Sequence, residues 1–134
     1  MSVEQISEED EALLDHCRRL AWAVAADAYS ERIADNLDVK VLQRLVDDRV
    51  CAPDDAWGLQ SLGIRFGDLL CDRGFRWVVS VHGDNRNLAV AWKESGLRIS
   101  APVLIQKRVE DGEDCDIAAL LEWAIGLAEA TEEQ

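Results

Sequence analysis

Phe75-Arg76-Trp77-Val78-Val79-Ser80-Val81-His82-Gly83-Asp84-Asn85-Arg86-Asn87-Leu88-Ala89-Val90-Ala91-Trp92 is the stretch on which the fold turns. β-Branched and aromatic residues crowd its first half, and such side chains fit a pleated, half-buried surface. Gly83-Asp84-Asn85 supplies turn chemistry, and Asn87 to Trp92 returns as the partner strand. Glu94-Ser95-Gly96 turns the chain again into Leu97-Arg98-Ile99-Ser100. The spacing predicts an antiparallel three-stranded meander. Alternation alone does not assign Trp77 and Trp92 to one sheet face.

The periodicity on either side of the meander is helical. Upstream, Leu13, Cys17, Leu20 and Val24 recur at helical spacing, flanked by Leu14, Ala21, Ala25 and Ala28 to give a broad apolar face, after Ser7, which fits an N-cap. The acids Glu8, Glu9, Asp10 and Glu11 that follow it complement the positive end of a helix dipole. A second helix is expected from Asp38 to Val50, with Val39, Leu42, Leu45 and Val46 inward. A third starts near Asp54 or Asp55 and runs to about Asp72, with Gly74 as its stop. Gly63 and Gly67 lie inside it, each costing about 1 kcal/mol relative to Ala, so a close backbone neighbour is expected there. Downstream, Pro102 suits the first turn of a short helix over Val103 to Glu110. Asp116 then caps a last helix with Ile117, Leu120, Leu121, Ala124 and Leu127 inward, and the tail from Glu129 to Gln134 is expected to fray. Helices flanking one antiparallel sheet give an α+β fold: three N-terminal helices, the meander, then a short and a C-terminal helix, packed on one sheet face.

The chain has 134 residues, enough for a single domain over residues 1–134 with one core. Its apolar fraction of 49% and charged fraction of 31% fit a globular protein. There are 27 acids against 14 bases, a formal net charge of −13. Nucleic-acid binding draws most of its affinity from Lys and Arg neutralising phosphates, so that partner class is disfavoured, as is an anionic membrane. The acidity is even along the chain, with 14 acids in residues 1–67 and 13 in residues 68–134, so no acidic tail accounts for it. The start Met1 to Glu8 has neither a basic region nor an apolar one, and no apolar run approaches the roughly 20 residues that span a bilayer. A cytoplasmic location is the expectation.

Cys17, Cys51, Cys71 and Cys115 form no Cys-x-x-Cys pair and match no zinc spacing, so buried free thiols are expected. Five tryptophans, at 22, 57, 77, 92 and 123, are many for this length, and most are expected in the core.

Leu62-Gly63-x-x-Phe66-Gly67, then Trp77-Val78-Val79, a hairpin to Leu88-Ala89-Val90, and Pro102 followed by Lys107-Arg108-x-Glu110-x-Gly112-Glu113 occur in a fixed order. Over residues 62–113 this chain resembles the bacterial family named domain of unknown function 3806. The resemblance implies a helix–meander–helix core over about residues 56–128. It implies no reaction, and the acidic continuation Asp114-Cys115-Asp116 departs from the family pattern.

Catalytic constellations are thin. There is no Gly-x-Ser-x-Gly elbow, no His-Glu-x-x-His and no phosphate loop. Ser80, His82 and Asp84 alternate near the hairpin tip, as a solvated strand end does. Asp111, Glu113, Asp114 and Asp116 crowd together without the residue order of an EF-hand, so neither metal nor cofactor is expected. Several acids have local duties at helix starts, and the excess from Glu110 to Asp114 has none. The expectation is a non-enzymatic acidic protein-binding domain, an immunity or inhibitor protein that masks a basic, nuclease-like bacterial toxin. Asp84, Glu110, Asp111, Glu113 and Asp114 are the expected partner-binding residues. The alternative is a housekeeping small-molecule-binding module or an enzyme.

Overall fold

The computed structural model describes residues 2–133. In chain order the elements are β1 (Ser2–Glu4), α1 (Glu8–Ala28), α2 (Glu31–Ala34), α3 (Val39–Asp47), α4 (Ala56–Cys71), β2 (Phe75–His82), β3 (Asn85–Trp92), β4 (Arg98–Ile99), α5 (Ala101–Glu110) and α6 (Ile117–Glu132). The α+β class holds, with the hairpin in place: Phe75 faces Trp92, and His82 faces Asn85 across the two-residue turn Gly83-Asp84, so Asn85 opens the return strand rather than belonging to the turn. Gly83 takes φ +63°, which a primed hairpin turn requires and which glycine adopts without a Cβ penalty.

The sheet has four strands rather than three, in the order β1-β2-β3-β4. β1 pairs antiparallel with Val79–Val81 of β2. All three of its residues are exposed, so it carries no inside–outside alternation from which a strand could be read. The register puts Phe75, Trp77, Val90 and Trp92 on one face. That face meets α4 and α5, while α6 packs chiefly against α3 and α4 rather than on the sheet. α6 also continues through Glu132, past the point where fraying was expected, and the Lys93 ammonium pairs with Glu132 near its end. Gln134 lies outside the described residues.

Helix starts follow local chemistry. Ser7 and Asp10 form a reciprocal capping box, while Asp38, Asp55 and Asp116 each accept a backbone N–H of the first turn. Ser30 does the same for α2, a single turn too short to show periodicity. The buried stripe of α1 is Leu14, Cys17, Ala21 and Ala25, all within the expected broad face, at whose edges Leu20 and Val24 are half-buried and Leu13 and Ala28 exposed. Three small side chains on that stripe let α4 pack closely. α4 is the central helix: Leu59, Leu62, Phe66 and Leu70 are all buried. A Cβ on Gly63 would lie 2.6 Å from the carbonyl oxygens of both Ala101 and Pro102, which is the backbone approach expected there. At Gly67 the neighbour is instead the Trp77 ring, 2.4 Å from a notional Cβ. Only Trp77 and Trp92 pack against the core; Trp22, Trp57 and Trp123 are exposed, contrary to the expectation for most of the five. No described helix is long and apolar enough to cross a membrane.

Candidate functional site

The acidic run between α5 and α6 is held at both ends. α5 closes in a Schellman motif: the Gly112 N–H donates to the Val109 carbonyl at 3.2 Å, and the Glu113 N–H to the Arg108 carbonyl at 2.8 Å. Gly112 supplies the left-handed conformation this closure needs, at φ +69°. At the other end the Gln43 side chain of α3 acts as a clamp. Its Nε2 donates to the Cys115 carbonyl at 2.9 Å, and its Oε1 accepts the Ile117 N–H at 2.7 Å. Asp116 then caps α6 through the Ala119 N–H. The six residues of loop, 111–116, are thus fixed by backbone geometry and one amide.

Glu110, Asp111, Glu113 and Asp114 are all exposed, and none forms a salt bridge among the described residues. Glu110 only accepts a hydrogen bond from Gln106 Nε2 at 2.8 Å. Glu110 and Asp111 sit at the negative end of the α5 dipole, where an acid costs a few tenths of a kcal/mol to about 1 kcal/mol. Local helix stability therefore does not explain them. Among the described residues no group of three or more His, Cys, Asp or Glu side chains is placed to hold a metal ion.

Glu113 and Asp114 rim a cleft of about 340 Å³. Its wall is apolar, drawn from Leu45 and Val46 of α3, Cys51 and Pro53 of the α3–α4 connection, Leu59 and Leu62 of α4, and Val109 of α5. Burial, and after it the charge of Asp55, pushes the Cys51 thiol up to about 11, so this thiol is not a ready nucleophile. Arg49, at φ +53°, is the one base on the cleft wall.

Asp84 is exposed in the hairpin turn and lines neither this cleft nor the larger one described next, so the structure does not join it to the acidic loop. It also leaves the Ser80–His82–Asp84 alternation incomplete, because Asp84 stands in the turn and not on the strand face.

A second cleft, of about 510 Å³, opens between α1, α4, α5 and the hairpin end of the sheet. Cys17, Ile64 and Val79 are buried at its base, whereas Leu13 and Trp57 stand 39% and 58% exposed beside it. Asp10, Gln60, Arg86, Ser100 and Lys107 add polar atoms. Asp10 is engaged already: Ser7 donates to its Oδ2 from backbone N and Oγ at 2.8 and 2.9 Å. The backbone hydrogen bond is the main reason its carboxyl lies below the ordinary range. Sequence reading missed this cleft because its lining comes from separated elements. The spacing of Trp57, Gln60 and Ile64 at three and seven residues was the available signal.

Comparison with known proteins bears on the fold. The family model described as "Domain of unknown function (DUF3806)" matches residues 38–120, more than half of the chain, and the chain belongs to that family. The match is wider than the resemblance over 62–113 and takes in α3, the acidic loop and the first turn of α6. A crystal structure from Bacteroides thetaiotaomicron VPI-5482 superposes with a TM-score of 0.77 at 15% sequence identity. It is matched over 93% of this chain and 48% of its own, so the present chain spans about half its length. At that identity the likeness concerns the fold alone. No curated protein matches the chain.

Proposed function

We propose that this member of the family is a non-enzymatic, acidic protein-binding domain that masks a basic partner, with an immunity or inhibitor protein against a nuclease-like toxin as the concrete case. One observation carries the reading: four exposed acids, without cationic partners among the described residues, cluster at the end of α5 and on the loop fixed by the Schellman closure and the Gln43 clamp, and two of them, Glu113 and Asp114, line an apolar cleft. A fixed loop loses little conformational freedom on binding, so more of the contact energy survives as affinity. Acids at the rim steer a basic protein and accelerate encounter, and an apolar recess takes one anchoring side chain from it. A nuclease active site offers that combination, because its groove is basic where nucleic acid lies. Asp84, at the far turn, belongs to this reading only as a secondary contact.

The test is affinity capture from a bacterial lysate, run in parallel with wild-type protein and the variant Glu110→Gln/Asp111→Asn/Glu113→Gln/Asp114→Asn. The reading requires a basic protein that is retained by the wild type, lost from the variant and released as salt rises. Identical captured sets for the two proteins would overturn it.

A further inference from the structure

We propose that the 510 Å³ cleft between α1, α4, α5 and the hairpin end of the sheet binds a small amphipathic monocarboxylate, its apolar body over Ile64, Val79 and Leu88 and its carboxylate toward Arg86 and Lys107. This inference stands apart from the acidic loop, which lines the other cleft.

Size comes first. Pockets of about 300–1,000 Å³ enclose compact organic ligands, and this cleft falls in that range. Its base is apolar and buried, so an apolar body gains from entering it. Trp57, more than half exposed beside the mouth, is a large apolar surface left without a partner.

Charge selects the head group. Two of the chain's 14 bases line the cleft, with one of its 27 acids, so the cleft reverses the sign of the rest of the molecule. That single acid, Asp10, is already hydrogen-bonded within the capping box. Arg86 approaches Glu4 and Asp10 only at 3.7 and 3.9 Å, beyond hydrogen-bond distance, and makes no side-chain hydrogen bond among the described residues. The Lys107 ammonium is exposed and has neither ion pair nor hydrogen bond among them. Both cations thus keep donors for a ligand. A net charge of −13 repels polyanions such as nucleotides, whereas a single negative charge between two cations is tolerated. A monoanion with an apolar body fits both facts.

The probes are 3-phenylpropionate, octanoate and the neutral 3-phenylpropanamide, titrated to millimolar concentration and followed by methyl NMR. Saturable shifts of the Ile64, Val79, Leu88 and Val103 methyls are expected with the acids. The amide should bind about tenfold more weakly, the loss expected when a charge-assisted contact is removed. Arg86→Gln and Lys107→Gln should each weaken phenylpropionate severalfold and leave the amide unchanged. Lys107→Gln removes no ion pair or side-chain hydrogen bond among the described residues, so it keeps the test valid if Arg86→Gln perturbs the fold. Absence of saturable shifts with both acids, or equal affinity for acid and amide, would overturn the proposal. So would an unaltered response of a folded Lys107→Gln protein.

Discussion

Arg18 of α1 grips Asp68 of α4 through two hydrogen bonds, Nε to Oδ2 at 2.8 Å and Nη2 to Oδ1 at 2.9 Å, and Trp77 Nε1 of β2 donates to the same Oδ1 at 2.9 Å. One carboxylate therefore ties two helices and a strand. Its side chain is only 14% exposed, and the paired guanidinium is held above its ordinary range chiefly by the Asp68 hydrogen bond. Asp15 and Glu11 reach the outer face of the same guanidinium at 2.7 and 3.2 Å. Such a charge pair rigidifies more than it stabilises, but removing one partner strands the other.

Asp68→Ala accordingly leaves the Arg18 fork and the Trp77 indole without their acceptor. The expected loss is about 2 kcal/mol, less than for a fully buried pair because Arg18 is partly solvated and keeps Asp15. Urea unfolding of Asp68→Ala, Arg18→Met and the double variant gives the coupling. A double variant no worse than Asp68→Ala alone is the expected pattern, and strict additivity would show that the pair does not act as a unit.

The glycines of two helices separate space from propensity. At Gly63 the added methyl meets two carbonyl oxygens of another helix, and backbone cannot move aside cheaply. Gly63→Ala should destabilise by roughly 1–3 kcal/mol, the range of overpacked cores. Gly126 of α6 has nothing within 4 Å of a notional Cβ, so Gly126→Ala should stabilise by about 0.5–1 kcal/mol. Thermal unfolding of the two variants should move in opposite directions.

Much of this fold is legible in the sequence because the signals are local. Ser7, Asp38, Asp55 and Asp116 each cap a helix through a neighbour three residues on, and the hairpin states its own turn. What was not legible is collective. Ser2–Glu4 becomes a strand only because Val79–Val81 offers an edge. Leu13 and Leu14 are both apolar and both belong to the broad face of α1, and the rotation of α1 against α4 decides that Leu14 is buried and Leu13 exposed. The exposed tryptophans fail for the same reason: composition counts them, whereas helix phase decides where Trp57 and Trp123 point. The acidic loop was visible as a charge cluster, but its clamp was not, since Gln43 lies 72 residues before Cys115 and resembles any surface glutamine.

That clamp can be tested apart from any partner. Gln43→Ala removes both the donor to the Cys115 carbonyl and the acceptor of the Ile117 N–H. Gln43→Glu keeps the acceptor but loses the donor and adds a charge beside Asp47, whose carboxylate now accepts from the same amide at 2.9 Å. Gln43→Ala should speed hydrogen exchange at Ile117, Gln43→Glu should speed it less because it keeps that acceptor, and both should leave the sheet amides unchanged. Gln43→Ala should cost about 1–2 kcal/mol overall, the penalty of leaving buried polar groups unsatisfied. Unaltered protection at Ile117 would show that the Asp116 cap suffices to fix the loop.

The thiols set the behaviour of the fold in alkali. Burial is the leading cause that pushes both Cys51 and Cys71 up to about 11, with nearby Asp55 and Asp68 acting in the same direction at the two sites respectively. A group whose folded value is raised favours its protonated form in the native state. Its contribution to stability is therefore complete below the unfolded thiol value, near pH 8.5, and is lost as pH rises through about 11. Urea midpoints should hold steady up to roughly pH 8.5 and fall above it. Cys51→Ala and Cys71→Ala should each flatten that fall, whatever they cost at neutral pH. At pH 8 iodoacetamide should modify these thiols far more slowly in the native protein than in urea, because alkylation needs the thiolate and access to it. Equal rates in the two states would mean that α3, α4 and the loop around Cys51 open faster than the reagent reacts.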